Sequence, residues 1–142
     1  MNILISACLL GLECRYDGKD NYVEEIGQLK QRYHLIPICP EIAGGLGIPR
    51  LPCEIRAHKV LTKDGREVTG AFEKGAKEAL KLAKLLDCRY AILKERSPSC
   101  GHQTIYDGSF TKKLVSGNGV TARLLHENGI EILGESQIGQ LL

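Results

Sequence analysis

A chain of 142 residues, 43% of them hydrophobic and 25% charged, has the size and balance of one soluble globular domain with a real core. A net charge of +2 is too small to argue for nucleic acid, and two Phe and five Tyr, scattered, make no stacking platform. No apolar run approaches the ~20 residues of a membrane span.

The chain opens Met1-Asn2-Ile3 with no basic segment and soon meets Glu13, which does not read as a signal peptide. The expected location is cytoplasmic, without membrane association. Six cysteines there read as metal ligands, catalytic thiols or small buried hydrophobes rather than a disulfide framework.

Residues 2–6 are short and apolar, a buried type of strand. Ser6 to Asp20 is a loop or helix start, broken by Gly11 and by the turn pair Asp17-Gly18. Residues 22–33 have helical spacing, with Val23, Ile26, Leu29 and Tyr33 three or four apart. His34 to Ile38 is a second strand. Cys39 to Arg50 holds three glycines and two prolines in twelve residues, which predicts an irregular segment. Glycines there let a backbone approach a ligand, or simply make a loop flexible.

Residues 59–68 read as a hairpin, Lys59–Thr62 returning as Arg66–Val68 across Lys63-Asp64-Gly65. Residues 71–87 are a helix with Phe72, Ala76, Ala79, Leu80, Ala83 and Leu86 on one face and lysines on the other. Residues 89–94 are a third strand, and 103–115 a second hairpin around Asp107-Gly108. Val120 to Asn128 is a helix closed by Gly129, Ile130 to Leu133 a fourth strand, and Glu135 to Leu142 a terminal helix. Strands alternating with helices predict an α/β fold: a single-domain, three-layer sandwich over residues 1–142. Its sheet would be mainly parallel and Rossmann-like, with helices on both faces and added hairpins.

Three strand exits carry a cysteine: Cys8 after Ile3-Leu4-Ile5, Cys39 after Leu35–Ile38, and Cys100 in Arg96-Ser97-Pro98-Ser99-Cys100-Gly101-His102 after Tyr90–Leu93. Ligands bind at that edge of an open α/β sheet, so the three thiols are expected to meet. Three dispersed thiolates suit an iron–sulfur cluster with one iron left open; the absence of a C-x-x-C pair argues against a zinc ribbon. Glu41 and Ser97 would flank such a site as proton-handling groups. Ser99 would bond cluster sulfur or shape its turn, and Arg15 and Arg50 would bind substrate or pair with Asp17 or Glu54. Cys14 and Cys53 lie in loops near the site, and Cys88 reads as packing. Two other readings stay open: a cluster-free enzyme with Cys100 as nucleophile and His102 as base, and a non-catalytic module binding an anion or nucleotide at Gly44-Gly45.

The stretches SACLLG (6–11), RYDGK (15–19), CPE-x-x-GGL-x-x-PR (39–50) and RSPSCG (96–101) resemble a bacterial family that includes the thiouracil desulfurases. TGAFEKGA (69–76), DGSF (107–110) and GNGVTARLLHENGIEI (117–132) carry the likeness through the chain. The resemblance implies a [4Fe-4S] cluster held by Cys8, Cys39 and Cys100, whose fourth iron takes the sulfur of a thiolated pyrimidine. It implies non-redox hydrolytic desulfuration, with Glu41 as base or proton carrier and Ser97 assisting. On the residues' own chemistry, Arg15, Gly44, Gly45, Arg50 and Ser99 are expected near the substrate. A small thiolated base or nucleoside is the expected partner, with a sulfide acceptor beside it. No dedicated nucleic-acid-binding domain is seen. Gly47 departs from the family pattern, where a proline is expected, and Cys14 and Cys53 are extra thiols.

Overall fold

The computed structural model describes all residues, Met1–Leu142. Four strands form one parallel sheet: β1 (Asn2–Ser6), β2 (His34–Ile38), β5 (Tyr90–Leu93) and β8 (Glu131–Gly134), in the order β2-β1-β5-β8. Between them run α1 (Ile26–Arg32), α2 (Pro40–Ala43), α3 (Thr69–Leu85) and α4 (Val120–Glu127). The pairs β3 (Cys53–Arg56) with β4 (Lys59–Thr62) and β6 (Thr104–Tyr106) with β7 (Leu114–Ser116) are separate antiparallel hairpins.

Period-two alternation divides the sheet between two cores. Leu4, Ala91, Leu93 and Ile132 pack under α3 and α4, against Ala79, Ala83, Ala122 and Leu125. Ile3, Ile5, Ile92 and Leu133 face the other way, onto Ile26 and Leu29 of α1 and Ile138 of the terminal 3-10 turns. The three layers are thus the expected ones. No helix is long and apolar enough to cross a membrane.

Some sequence expectations need correction. Segment 39–50 is not wholly irregular: Pro40–Ala43 makes one helical turn, with Pro40 at a first-turn position where its missing N–H costs nothing. Residues 66–68 do return along β4 as expected, with the Thr62 N–H on the Arg66 carbonyl at 2.8 Å, the Val68 N–H on the Val60 carbonyl at 2.9 Å and a bridge from Leu61 to Glu67, while β3, not expected, pairs with the other side of β4. Helix α1 starts at Ile26 rather than residue 22. The N–H groups of Asn21 and Val23 are taken by the carbonyls of Cys8 and Leu9, which keeps that segment extended. Residues Glu135–Leu141 wind as 3-10 rather than α-helix.

The order of the strands fixes where a ligand can sit. From β1 the chain passes to β2 on one side, while β5 flanks β1 on the other. The loops leaving β1 and β5 therefore diverge and open a crevice at their carboxyl ends. Ser6 Oγ accepts the Lys94 N–H at 2.9 Å and couples the two strand ends. Beyond β5, Lys94 Nζ is 2.7 Å from Glu135, and Glu135 accepts the Glu95 N–H at 2.6 Å, which ties that exit to the C-terminal turns.

Candidate active site

A cavity of about 510 Å³ opens at this crevice, lined by Cys8, Cys14, Cys39, Cys53 and Cys100 with Glu41, Ser97, Arg15 and Arg50. Cys8 lies in the 3-10 turn Ala7–Leu10 just beyond β1, and Cys39 caps α2 directly after β2. Ser6 and Ile38 are paired in register, so these two thiols leave adjacent strands at one level. Cys100 arrives from β5 through a loop that turns at Arg96, whose φ of 67 is left-handed. Ser97 then shapes the loop: its Oγ accepts the N–H groups of Ser99 at 3.1 Å and Cys100 at 3.0 Å.

All six cysteines are free. Burial pushes the Cys100 thiol up to about 12, against a hydrogen bond from Ser6, and Cys8 and Cys39 add repulsion. Burial also raises Cys8, where Cys39 again repels and a hydrogen bond from Asn21 and the Lys94 charge oppose. Cys14 is driven to about 12 by burial and then by Cys39 and Cys8, and Cys53 to about 11 by burial and then by Glu41. A bound soft metal would relieve this repulsion, since it releases crowded thiols as thiolates. No three His, Cys, Asp or Glu side chains group closely enough to hold a single metal ion. Thiols spread around a cavity suit a multi-iron cluster instead, and sulfur donors from separate loops are the chemistry such clusters use. The residues present fit the group.

Glu41 is largely buried in the wall. Its Oε1 accepts Nε of Arg50 at 3.2 Å, and burial raises its carboxyl despite that guanidinium. Arg50 also donates to the carbonyls of Cys14 at 2.9 Å and Gly47 at 3.2 Å. Its partner is therefore Glu41, not Glu54. Glu54 instead accepts the N–H groups of Gly108 and Phe110 and holds the β6–β7 hairpin loop against the rim. Arg15 pairs with Asp17 at 2.9 Å, as expected, and also donates to Asn21.

Not every expected residue reaches the cavity. Ser99 is fully buried away from it, its Oγ 2.8 Å from Thr121 Oγ1 on α4. Gly44 and Gly45 do not line it either; a Cβ on Gly44 would stand 2.0 Å from the Ala71 carbonyl of α3, so its smallness serves packing. The packing of Gly44 therefore does not favour an anion site there. His102 does not line the cavity and makes no hydrogen bond to Cys100, while Cys100 is buried with a raised pKa. Such a thiol is a poor nucleophile, and the Cys100–His102 reading loses its geometry. Cys88 packs in the core under α3, as expected. Lys94 was not anticipated, yet it lines the cavity within electrostatic range of Cys8; its place directly after β5 was the available signal.

Residues 3–137 match the protein-family model described as 2-thiouracil desulfurase. The chain is 39% identical over 150 residues to YbbK, an uncharacterized protein of Bacillus subtilis (strain 168), covering 99% of each. It is also similar to a solved structure of TudS, described as a [4Fe-4S]-dependent thiouracil desulfidase, with a TM-score of 0.93 and 41% identity. That likeness covers 99% of this chain and 94% of the other.

Proposed function

The chain belongs to the 2-thiouracil desulfurase family, and from that premise we propose that it removes sulfur from thiolated pyrimidines of the 2-thiouracil or 4-thiouracil type. The reaction is hydrolytic and without net redox change: water supplies the oxygen of the new C=O group, and sulfur leaves as hydrosulfide with a proton. The observation that carries this reading is the convergence of Cys8, Cys39 and Cys100, from three strand exits, on one cavity beside Glu41 and Ser97.

In this reading Cys8, Cys39 and Cys100 hold a [4Fe-4S] cluster. When bound, it supplies one iron without a thiolate from this trio, a soft Lewis acid for the sulfur of a C=S group. Glu41 handles the proton of the attacking water. Arg50 occupies its Oε1, and Oε2, without a protein partner, holds or takes a proton. Ser97 spends its oxygen on two backbone N–H groups, so its own hydrogen is left to donate toward the cavity. Arg15 lies at the cavity wall to orient the substrate. Free thiols throughout the chain suit a reducing, cytoplasmic setting.

Anaerobic reconstitution should give about four irons per chain and a broad brown absorbance, and the loaded protein should release sulfide from 2-thiouracil or 4-thiouracil. If Cys8→Ser, Cys39→Ser and Cys100→Ser all leave the iron content intact, the cluster assignment is wrong. Loaded protein that releases no sulfide from either compound overturns the substrate assignment.

A further inference from the structure

Two thiols of the cavity, Cys14 and Cys53, have no part in the reading above. Their neighbours differ. The Cys53 Sγ donates to the Leu51 carbonyl at 3.6 Å, and Glu41 is the first of its charged neighbours. The Cys14 thiol instead stands within electrostatic range of Cys39 and Cys8. Its backbone is pinned there: its carbonyl accepts Nη2 of Arg50 at 2.9 Å and lies 3.8 Å from Cys39 Sγ, and its N–H donates to Leu12 at 2.9 Å. Cys14 is therefore a fourth thiol in the same cavity, beside Cys39 and Cys8, on a segment outside helix and strand.

We propose that Cys14 is a fourth protein ligand. Its thiolate occupies the position that Cys8, Cys39 and Cys100 leave open, and yields it when substrate sulfur arrives. This rests on the proposed cluster at the same site. On binding, the Cys14 thiol gives one proton to water and one iron–sulfur bond forms; no electron is transferred. On displacement that bond breaks and the thiolate regains a proton from water. Thiolate and thione are both soft donors, so they compete for the same soft iron. Between turnovers the fourth thiolate keeps that iron from being lost, as a cluster with four thiolates is closed and one with three is open.

The test compares anaerobically reconstituted wild type, Cys14→Ala and Cys53→Ala. Iron is counted first, and each is then oxidised with one equivalent of ferricyanide while the electron paramagnetic resonance signal of a three-iron cluster is measured. Cys14→Ala should give that signal severalfold more strongly than wild type and lose about one iron in four, while Cys53→Ala behaves as wild type. Equal signals in wild type and Cys14→Ala overturn the inference and leave the cluster itself standing. Wild type that takes up no iron overturns both.

A second measurement needs no substitution. Iodoacetamide labelling of loaded wild type, mapped by mass spectrometry and scaled to the labelling of Cys14 in the cluster-free protein under the same alkaline conditions, should leave Cys14 protected, and added 2-thiouracil should raise its labelling severalfold toward the cluster-free level. Cys14 labelling that is unchanged or lowered by 2-thiouracil overturns the proposal, because a merely shielded thiol is covered further by a bound ligand.

Discussion

Arg50 Nε stands 3.2 Å from Glu41 Oε1, with the two side chains only 9% and 18% exposed. The same guanidinium reaches the carbonyls of Cys14 and Gly47, so one cation ties the loop after β1, the turn α2 and the glycine-rich loop around the cavity. Glu41 follows two residues after Cys39, and the pair therefore links a proposed cluster ligand to a proposed proton carrier.

Replacing Arg50 by Met leaves Glu41 as a buried carboxylate without its cation. Burial already holds this carboxyl above its ordinary value. A carboxyl raised in the folded state favours folding below its unfolded value, about 4.3, and that contribution is lost as pH rises through the folded value. Arg50→Met should therefore cost about 3 kcal/mol at neutral pH and clearly less at acid pH, below the ordinary carboxyl value, where Glu41 carries its proton. Urea unfolding of the cluster-free protein at the two pH values measures this. An equal loss at both would mean that packing and carbonyl contacts, not charge, account for it.

Ser97 carries two duties that Ala and Thr separate. Without its Oγ, the N–H groups of Ser99 and Cys100 lose their acceptor. Ser97→Ala should lower stability by about 1 kcal/mol, as for a lost helix cap. If the hydroxyl also passes a proton, kcat for sulfide release should fall by about 100-fold at unchanged iron content. Ser97→Thr should restore most of both. Activity that falls only in proportion to iron content would assign Ser97 to holding Cys100 alone.

Much of this was legible in the sequence because it follows local periods. Ile3, Leu4 and Ile5 alternate between two cores, and Phe72, Ala76, Ala79 and Ala83 bury one stripe of α3. The three cysteines were legible because each lies in the segment that leaves such a strand. What was missed depends on contacts between distant residues. The β3–β4 turn runs through Ala57 and His58 with φ of 51 and 64, and neither residue carries the usual signal for a left-handed turn. Glu54 was a fair partner for Arg50 until the backbone N–H groups of Gly108 and Phe110, more than fifty residues on, claimed it. Ser99 adjoins Cys100 in sequence yet turns inward because Thr121 meets it from α4.

The glycines of α2 and α3 make a sharper case, because propensity and packing point in opposite directions. A Cβ at Gly75 would lie 1.8 Å from the Pro40 carbonyl, and one at Gly44 2.0 Å from that of Ala71. Backbone meets backbone here, and α2 carries Glu41 against α3 at that distance. Helix propensity alone would favour Gly75→Ala by about 1 kcal/mol. The clash has no flexible side chain to absorb it, so the variant should instead lose about 2 kcal/mol and displace α2, with lower iron uptake through Cys39. Gly70→Ala in the same helix, where a Cβ meets nothing within 4 Å, should be neutral or stabilising. Thermal unfolding of the two variants decides it: a Gly75→Ala protein as stable as Gly70→Ala would refute the close contact.

His102 supplies the last prediction, a pH dependence separate from the cavity. Its Nδ1 is buried without a hydrogen-bond partner, and its ring lies 6.0 Å from that of His126. Burial first, then the His126 charge, lowers its pKa, and a side-chain contact with Asn118 opposes them. The unfolded chain, with an ordinary value of about 6.5, therefore binds a proton that the folded chain refuses. By linkage, the stability tied to this residue is present above that ordinary value and is lost as pH falls through the lowered one. Cluster-free wild type should thus show a midpoint temperature that declines below pH ~6.5, and His102→Gln should flatten part of that decline. His126→Gln should flatten less of it, since it removes the second cause and leaves burial in place. Wild type and His102→Gln with parallel profiles would show that the imidazole finds water or a partner on folding and titrates as it does in the open chain.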